Sequence, residues 1–566
     1  METNCYNNYV KIHSDTFIES SPELVLQTAF GYSSFRPGQE EIISSVLSGR
    51  DTLAVLPTGG GKSLCYQIPA LIFKGITVVV SPLISLMQDQ VSSLRASGIN
   101  SVFLNSSLER DGYIAAIDGI KSGSVKIVYV SPEGLATGRI RELLCENVTV
   151  SCITIDEAHC VSEWGHDFRP DYLDIRSVRK ILPGAVMLAL TATATELVRG
   201  DILNNLGMNN PFIFVSSFNR SNIYLEVRPK KNPEAQVTEY LGKHKNESGI
   251  IYCFSRRQVD ELTESLERKG FPVRSYHAGL TDERRAQNQE LFIKDEIKIM
   301  VATVAFGMGI NKPNVRFVIN YDLPKSIEEY YQETGRAGRD GKQAYSLLLY
   351  SSGDIHKIRY FFEEAADSRK SEKLLQGMLN FAASGKCRRR TLLEYFGEPY
   401  IPERNHNEFC CDICSSGEKP ENDVTVPVQK LLCCIIRTGE RFGTSYIVDV
   451  LLGSRQKRII ENRHNFLSTW GIGHELSRDE WFELVDLLIV HNYLRKSGEY
   501  NILRITAEGK SILATRETVR MPFAFSGSKN TAAGIPKTSR PKYILHKKNR
   551  GESSTAEKTP PYRKRH

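Results

Sequence analysis

Short apolar runs alternate with longer amphipathic segments from about residue 24 to residue 350. Continuous apolar runs are typical of strands that are buried on both faces, and the segments between them carry helical patterns. The alternation therefore predicts an α/β fold built on parallel strands. The runs lie at residues 52–56, 77–80, 125–130, 152–155, 185–190, 249–253, 298–302, 315–320 and 344–349.

Nine strands are many for one sheet, and a stretch rich in Asn, Arg and Lys at 216–248 interrupts the pattern. We therefore expect two α/β lobes, followed by a helical segment with clustered cysteines and then a compact mixed module. The expected boundaries are an N-terminal tail at 1–20, lobes at 21–216 and 217–352, the cysteine segment at 353–418, the module at 424–515, and a basic, disordered tail at 516–566.

Composition is that of an ordinary globular protein, with 41% hydrophobic and 25% charged residues. The sequence contains neither a run of about 20 uncharged apolar residues nor a signal-peptide core. Its twelve scattered cysteines fit a reducing compartment better than a secreted disulfide framework. These features predict a soluble intracellular protein.

Charge changes this picture only at the C-terminal end. Residues 521–566 hold eleven Lys and Arg and two Glu, a net charge of +9, whereas the whole chain carries +7 and the first 520 residues therefore about −2. A basic tail is a candidate nucleic-acid arm, and a solvated disordered end explains the same charge equally well.

A phosphate-binding motif follows the first apolar run. The sequence PTGGGKS at 57–63 joins a predicted strand to a helix-capable segment, so backbone N–H groups and a helix N-terminus can approach phosphates. Lys62 would reach the β- and γ-phosphates and Ser63 would ligate Mg²⁺. The first glycine of the strict pattern is replaced by Leu56, and a chance glycine-rich turn is the competing interpretation. The predicted phosphate-binding residues are Thr58, Gly59, Gly60, Gly61, Lys62 and Ser63.

The sequence DEAH at 156–159 follows the apolar run at 152–155. Carboxylates at the carboxyl end of a buried parallel strand face the ligand crevice of an open sheet. Asp156 would hold Mg²⁺, and Glu157 would polarise the water that attacks the γ-phosphate. Alone the motif could be a helix cap, but together with the upstream GKS loop it predicts an ATPase.

These motifs resemble those of superfamily 2 helicases, specifically bacterial-type RecQ DNA helicases, and the resemblance runs from about residue 24 to residue 515. It implies two RecA-like lobes, a zinc-binding subdomain and a winged-helix domain, without the small C-terminal helical nucleic-acid-binding domain. It also implies ATP-dependent 3′-to-5′ unwinding of DNA in recombination and repair. From composition and spacing alone we expect only an ATPase that acts on nucleic acid; an RNA helicase and a DNA-binding scaffold without hydrolysis are the alternatives.

The resemblance assigns adenine recognition to the segment at 26–39. There Gln39 would hydrogen-bond the adenine edge, while Tyr32 and Arg36 would stack on either side of the ring. Without the resemblance, the aromatic residues of this segment would be assigned to the core.

The sequence CVSEWGHDFRP at 160–170 is similar to the family's aromatic-rich loop, which senses single-stranded DNA. Aromatic and guanidinium planes can stack on bases, although a packed loop explains the same residues. His159 would relay between the carboxylates and this loop. The loop residues concerned are Trp164, His166, Phe168 and Arg169.

In the second lobe, YQETGRAGRD at 331–340 is the most specific resemblance. Arg336 and Arg339 would stabilise γ-phosphate charge as arginine fingers, and their spacing predicts that they share one helix face. Gln332 would lie near the same interface. The segments expected to track the DNA strand or to couple it to ATP lie at 81–90, 191–194, 252–255, 276–279 and 302–310.

Four cysteines within 28 residues predict a tetrahedral, structural Zn²⁺ site. Cys411 and Cys414 form a C-x₂-C half-site, Cys387 lies upstream, and Cys410 would complete the set. His406 is the competing fourth ligand.

The module at 424–515 resembles a winged-helix domain, with helices expected at 428–437, 446–452 and 478–491 and a hairpin of strands at 494–496 and 502–505. The expected partners are single-stranded and forked or tailed duplex DNA, single-stranded DNA-binding protein or other repair factors, and no membrane. We expect a monomer in the cytoplasm near the nucleoid if the source is bacterial, and a nuclear protein if it is eukaryotic.

Overall fold

The computed structural model describes residues 20–525 except 106–107, 147, 308–311, 364–367, 402–408, 419, 498–500 and 516. This part of the chain contains two parallel β-sheets, a helical segment and a small mixed module. The first sheet has seven strands in the order β3-β4-β2-β5-β6-β1-β7. Its strands are β1 Thr52–Val55, β2 Ile76–Val80, β3 Ser101–Leu104, β4 Ile127–Val130, β5 Val150–Ile155, β6 Val186–Thr191 and β7 Phe212–Val215.

Helices cover this sheet, and apolar side chains from α1 to α4, such as Ile42 and Ile68, pack with strand residues such as Leu188 in one buried cluster. Because strands β1, β5 and β6 are neighbours and run parallel, the loops after them open at one edge of the sheet. The helices are α1 Pro22–Phe30, α2 Gln39–Leu47, α3 Leu64–Ile72, α4 Ile84–Ala96, α5 Arg110–Lys121, α6 Pro132–Ala136, α7 Gly138–Glu146, α8 Ile175–Ile181 and α9 Glu196–Leu206.

The second sheet has six parallel strands in the order β10-β11-β9-β12-β13-β8. The strands are β8 Ile223–Pro229, β9 Ser248–Tyr252, β10 Val273–Tyr276, β11 Ile299–Ala302, β12 Val315–Asn320 and β13 Ala344–Tyr350. Its helices are α10 Pro233–Lys243, α11 Arg256–Arg268, α12 Asp282–Ile293 and α13 Ile327–Thr334. The polar stretch at 216–248 therefore contains β8 and α10, which belong to the second lobe.

The nine strands expected from apolar runs are the nine interior strands of the two sheets. The four strands that the runs missed, β3, β7, β8 and β10, are the four edges. Charged or polar residues interrupt β8 and β10, so these two lack the continuous apolar signal of a strand covered on both faces. Strands β3 and β7 are mostly apolar, and their four-residue runs were not assigned.

A helical segment follows the second lobe and leads to the cysteine cluster. It consists of α14 Ser352–Glu363, α15 Ser368–Ala383, α16 Arg388–Tyr395 and α17 Asp412–Ser416. In the described residues, no helix combines the length and the apolar character that crossing a lipid bilayer requires.

The last module contains the three helices and the hairpin expected of a winged helix, and it adds α20, α22 and the short strand pair β14–β17. Packing continues beyond residue 515, since the Phe523 side chain is fully buried and the Val424 N–H donates to the Val519 carbonyl at 2.9 Å. The predicted tail at 516–566 therefore begins too early, since residues 517–525 belong to this module; the remainder, from 526 onward, lies outside the described residues. The elements are β14 Asn422–Asp423, α18 Thr425–Arg437, α19 Thr444–Leu451, α20 Lys457–Glu461, α21 Arg478–Val490, β15 Leu494–Ser497, β16 Ile502–Ile505, α22 Ala507–Thr515 and β17 Arg520–Met521.

Candidate nucleotide and DNA sites

The phosphate-binding loop lies between β1 and α3, at the edge where β5 and β6 also end. Gly59 and Gly61 have φ values of +83° and +79°, which side chains with a Cβ rarely adopt. The loop is tight, since the Gly60 N–H donates to the Pro57 carbonyl at 2.9 Å. Glycines thus allow the turn that brings backbone N–H groups and Lys62 to the cleft.

Two carboxylates face this loop from the end of β5. Burial, and then the charge of Glu157, raises the pKa of Asp156 to about 7, while Lys62 opposes the rise. Among the described residues, Glu157 Oε2 accepts no hydrogen bond, and the ring nitrogen of His159 lies 3.4 Å from it. A close pair of carboxylates with an unsatisfied oxygen fits a divalent cation, and oxygen ligands from Ser63 and Asp156 are those that Mg²⁺ prefers.

The second lobe supplies the other wall of a cleft of about 410 Å³. The Arg336 guanidinium is 8% exposed and donates to the Gly307 carbonyl. Burial, and then the charge of Arg336, lowers the pKa of Arg339. Both lobes line the cleft with predicted site residues, namely Tyr32, Arg36, Gln39, Thr58, Gly59, Gly61, Lys62, Ser63, Asp156, Glu157, Gln332, Arg336 and Arg339.

One expectation about the arginines is wrong. Helix α13 ends at Thr334, so Arg336 and Arg339 do not share a helix face. They lie in the turns that follow, and Gly338 has a φ of +60° there. The chain turns tightly at the glycines, and this turn, rather than helical spacing, brings both guanidinium groups to the cleft.

The adenine segment contacts the phosphate-binding loop directly. The Gln39 side-chain amide donates to the carbonyls of Gly60 and Gly61 at 3.3 and 3.0 Å. The Arg36 guanidinium donates to the Gly59 carbonyl, and the Tyr32 side chain at the rim is 55% exposed. An exposed aromatic ring and a guanidinium beside a glycine loop can hold a purine between them.

Two stacked imidazoles connect the carboxylates with the aromatic-rich loop. The rings of His159 and His166 are 4.3 Å apart and nearly parallel. Burial, followed by the charges of Lys62 and Arg169, lowers the pKa of His159 to about 3, and its Nδ1 lies 2.9 Å from the Thr191 hydroxyl. His166 has its pKa lowered to about 3 by burial and by His159, and a hydrogen bond with the Gln332 side chain opposes this shift. Both imidazoles are therefore uncharged at neutral pH. Through its hydrogen bond with Gln332, His166 links this stack of lobe 1 to lobe 2.

The aromatic side chains of this loop face helix α15. Lys373 Nζ lies 5.1 Å from the centre of the Trp164 ring, and Lys370 Nζ lies 5.7 Å from the Phe168 ring. Arg169 donates to the Pro82 carbonyl at 2.9 Å, which connects the loop to the segment at 81–90. No local sequence pattern indicates the two lysines, because the contact joins positions about 200 residues apart.

The four cysteines form one cluster, with all ligand sulfurs within 4.8 Å of one another. The sulfurs of Cys387 and Cys410 are 3.6 Å apart, and those of Cys387 and Cys411 are 3.9 Å apart. A tetrahedral zinc with bonds of 2.3 Å requires sulfur separations of roughly 3.8 Å. Cys410 thus lies close enough to Cys387, Cys411 and Cys414 to be the fourth ligand. The competing ligand, His406, lies outside the described residues.

The winged-helix module carries an aromatic and basic cluster. The rings of Phe442 and Tyr446 stack at 3.9 Å, and the Arg458 guanidinium lies 5.5 Å from the centre of each ring. Phe466, in the turn after α20, is 81% exposed. Exposed aromatic and basic groups are suited to nucleic acid, but the turn of the wing at 498–500 lies outside the described residues.

Comparison with protein families finds four matches in the order that the fold shows. They are a DEAD/DEAH box helicase at 36–199, a helicase conserved C-terminal domain at 232–341, a RecQ zinc-binding domain at 352–415 and an RQC domain at 418–530. The fold is also similar to that of the DEAD-box helicase Mss116 bound to ssRNA, with a TM-score of 0.51 and 19% identity over 69% of this chain and 93% of that one.

Two curated relatives match most of the chain. It is 44% identical to the ATP-dependent DNA helicase RecQ of Pasteurella multocida, over 86% of this chain and 77% of the relative. It is 40% identical to the ATP-dependent DNA helicase RecQ of Bacillus subtilis, over 86% of this chain and 82% of the relative. With four matching domains and this identity, the chain belongs to the RecQ family of helicases.

Proposed function

We propose that the interlobe cleft hydrolyses ATP and that the aromatic-rich loop couples this hydrolysis to single-stranded DNA. As a RecQ helicase, the protein uses ATP, Mg²⁺ and Zn²⁺ and unwinds DNA in recombination and repair, and the 3′-to-5′ polarity of the family fits it. The observation that carries the coupling is the imidazole stack, which lies between the γ-phosphate side of the cleft and the loop that bears Trp164.

Each cleft residue has a task that follows from its position. Lys62 and the backbone N–H groups of residues 59–63 bind the phosphates, and Gln39 with Tyr32 and Arg36 recognises the base. Mg²⁺, held by Ser63 and Asp156, would offset phosphate charge. Glu157 orients the attacking water, because it lines the cleft beside Asp156 and one of its oxygens accepts no hydrogen bond among the described residues.

The second lobe completes the reaction centre. Arg336 and Arg339 place two cations opposite the phosphate-binding loop, where they stabilise the charge that develops on the transferred phosphoryl group. Because these cations and the carboxylates lie on different lobes, hydrolysis depends on how closely the lobes approach. Closure on ATP and reopening after product release then give a stroke along DNA.

Coupling follows from the aromatic-rich loop. A base that stacks on Trp164 or Phe168 competes with the lysines of α15 for the same ring faces. Movement of the loop shifts His166 against His159 and Gln332, and both of these face the reaction centre. DNA binding thereby changes the surroundings of Glu157 without contacting ATP.

The remaining modules support DNA handling. We infer that the cysteine cluster is a structural zinc site that stabilises the subdomain at 353–418. We also infer that the winged helix contacts the duplex. The positively charged tail would bind DNA electrostatically. Deletion of 521–566 tests this role, because it should lower the affinity for DNA at low salt. The protein would act as a monomer, with single-stranded DNA-binding protein or other repair factors as partners. Its bacterial relatives support a cytoplasmic, nucleoid-associated location over a nuclear one.

Unwinding of labelled duplexes tests the proposal. A duplex with a 3′ single-stranded tail should be separated in the presence of ATP, whereas a blunt duplex or a 5′ tail should be a poor substrate. Lys62→Ala should abolish unwinding while leaving DNA binding intact. If RNA stimulates hydrolysis and DNA does not, the alternative RNA helicase is correct.

A further inference from the structure

Arg220 occupies the linker between the last strand of lobe 1, β7, and the first strand of lobe 2, β8. None of the sequence motifs includes it. Its side chain is half-buried, and the resulting desolvation lowers its pKa. No described carboxylate lies within 4.0 Å of it, so the cation is satisfied by other groups.

Those groups are the Asn222 side-chain oxygen, which accepts from Arg220 Nε at 3.4 Å, and backbone carbonyls on both sides of the cleft. In lobe 2, Arg220 donates to the carbonyls of Gly335, Ala337 and Gly338 at 3.1, 2.9 and 3.1 Å. In lobe 1, it donates to the Thr58 carbonyl of the phosphate-binding loop at 3.3 Å. One side chain therefore joins the loop that binds phosphate to the turn that carries both arginine fingers.

The two segments also touch directly. A Cβ added to Gly335 would lie 3.3 Å from Thr58 Cβ, and one added to Gly59 would lie 3.1 Å from Arg339 Cγ. With so little space, a small movement of the turn changes where the finger guanidinium groups lie. Three of the four carbonyls belong to the turn, so Arg220 would stay with lobe 2 when the lobes separate.

The zinc-binding subdomain holds the linker from the other side. Arg389 of α16 donates to the carbonyls of Arg220 and Ile223, each at 2.7 Å. The Glu398 carboxylate accepts from the Ser217 hydroxyl and the Phe218 N–H, each at 2.6 Å. The backbone that presents Arg220 is therefore fixed by a neighbouring element and does not depend on the cleft.

We propose that Arg220 is a positioning residue that sets the distance between the arginine-finger turn and the phosphate-binding loop. The planar guanidinium reaches four carbonyls at once, which a lysine ammonium cannot do. In the closed cleft it fixes Arg336 and Arg339 opposite the γ-phosphate, and its bond to Thr58 breaks on opening. This inference rests on the proposed ATPase cycle.

Arg220→Gln and Arg220→Lys test it, with Arg316→Gln as the matched control. Arg316 also donates to backbone carbonyls of lobe 2, those of Asn314, Gln343 and Pro313 at 3.2, 2.9 and 3.2 Å, but neither to Arg220 nor to the phosphate-binding loop. Both Arg220 variants should lose about tenfold or more in DNA-stimulated kcat, with KM for ATP and affinity for ADP within about threefold of wild type. Arg316→Gln should keep kcat within about threefold.

Three results would overturn the inference: wild-type kcat in Arg220→Gln, full rescue by Arg220→Lys, or an equal loss in Arg316→Gln. Thermal unfolding identifies any variant that does not fold, and Arg220→Lys, which retains the positive charge, carries the test if Arg220→Gln unfolds. Absence of DNA-stimulated hydrolysis in the wild type would instead refute the proposed function.

Discussion

Replacement of Gly307 by alanine should displace an arginine finger without unfolding the protein. A Cβ at this position would lie 2.4 Å from Nη2 and 3.0 Å from Cζ of Arg336. Unstrained contact needs roughly 3.5 Å, so the guanidinium must move by about 1 Å. The backbone at Gly307 does not have a positive φ, so alanine causes no backbone strain of its own.

The size of the effect follows from the role of the finger. A displacement of about 1 Å in a catalytic group costs about 100-fold in rate, or about 2.7 kcal/mol in the activation free energy. We therefore expect kcat of Gly307→Ala to fall about 100-fold at saturating DNA. KM for ATP should change little, because Lys62 and Gln39 are untouched.

Steady-state ATP hydrolysis measures this directly, with ADP binding and thermal unfolding as companion measurements. Gly242→Ala in α10 is the matched control, since an added Cβ there meets nothing within 4 Å. Wild-type kcat in Gly307→Ala would show that Arg336 does not act from its observed position. A fall in melting temperature that accounts for the lost activity would also refute the reasoning.

Two further predictions concern stability. Cys411→Ser should release zinc, measured as metal per protein, and lower the unfolding free energy by about 3 kcal/mol, as expected when a cross-link closing a loop of this length is lost. Cys433→Ser, outside the cluster, should change neither the zinc content nor the unfolding free energy. Zinc retained by Cys411→Ser would contradict the ligand set. Burial of Asp295 opposes ionisation, but hydrogen bonds led by that from Lys312, 2.9 Å away, lower its pKa overall. Because the folded-state pKa is lowered, ionised Asp295 stabilises the protein above the unfolded-state pKa near 3.8. This stabilisation is lost as the pH falls below that value. Asp295→Asn should therefore melt below wild type at pH 7, with the difference shrinking below about pH 4; a difference that does not depend on pH would contradict this.

Local sequence was sufficient for the interior of the fold. Interior strands such as β2 and β6 are apolar at nearly every position because helices cover both faces, and every such strand was predicted. Two of the missed edge strands interrupt the apolar pattern, since β8 carries Glu226 and Arg228 and β10 carries Arg274 and Ser275. Composition does not explain the miss of β7, which is apolar throughout although every position in it is partly or fully exposed.

The site divides in a similar way. Motif residues such as Lys62 and Asp156 were predictable because a glycine loop and a strand-end carboxylate are local patterns. Arg220 and Arg389 were not predictable, since they donate to backbone carbonyls far away in the sequence. Every residue type has a backbone carbonyl, so such acceptors cannot be recognised from the sequence. The helix-face prediction for Arg336 failed because α13 ends at Thr334, before either arginine.

The most direct test of DNA-coupled hydrolysis is the rate of ATP turnover with and without single-stranded DNA, in wild type, Lys62→Ala and Trp164→Ala. We expect strong stimulation of the wild type by DNA, no turnover in Lys62→Ala, and a basal rate without stimulation in Trp164→Ala. Full stimulation in Trp164→Ala, or stimulation of the wild type by RNA but not by DNA, would contradict it.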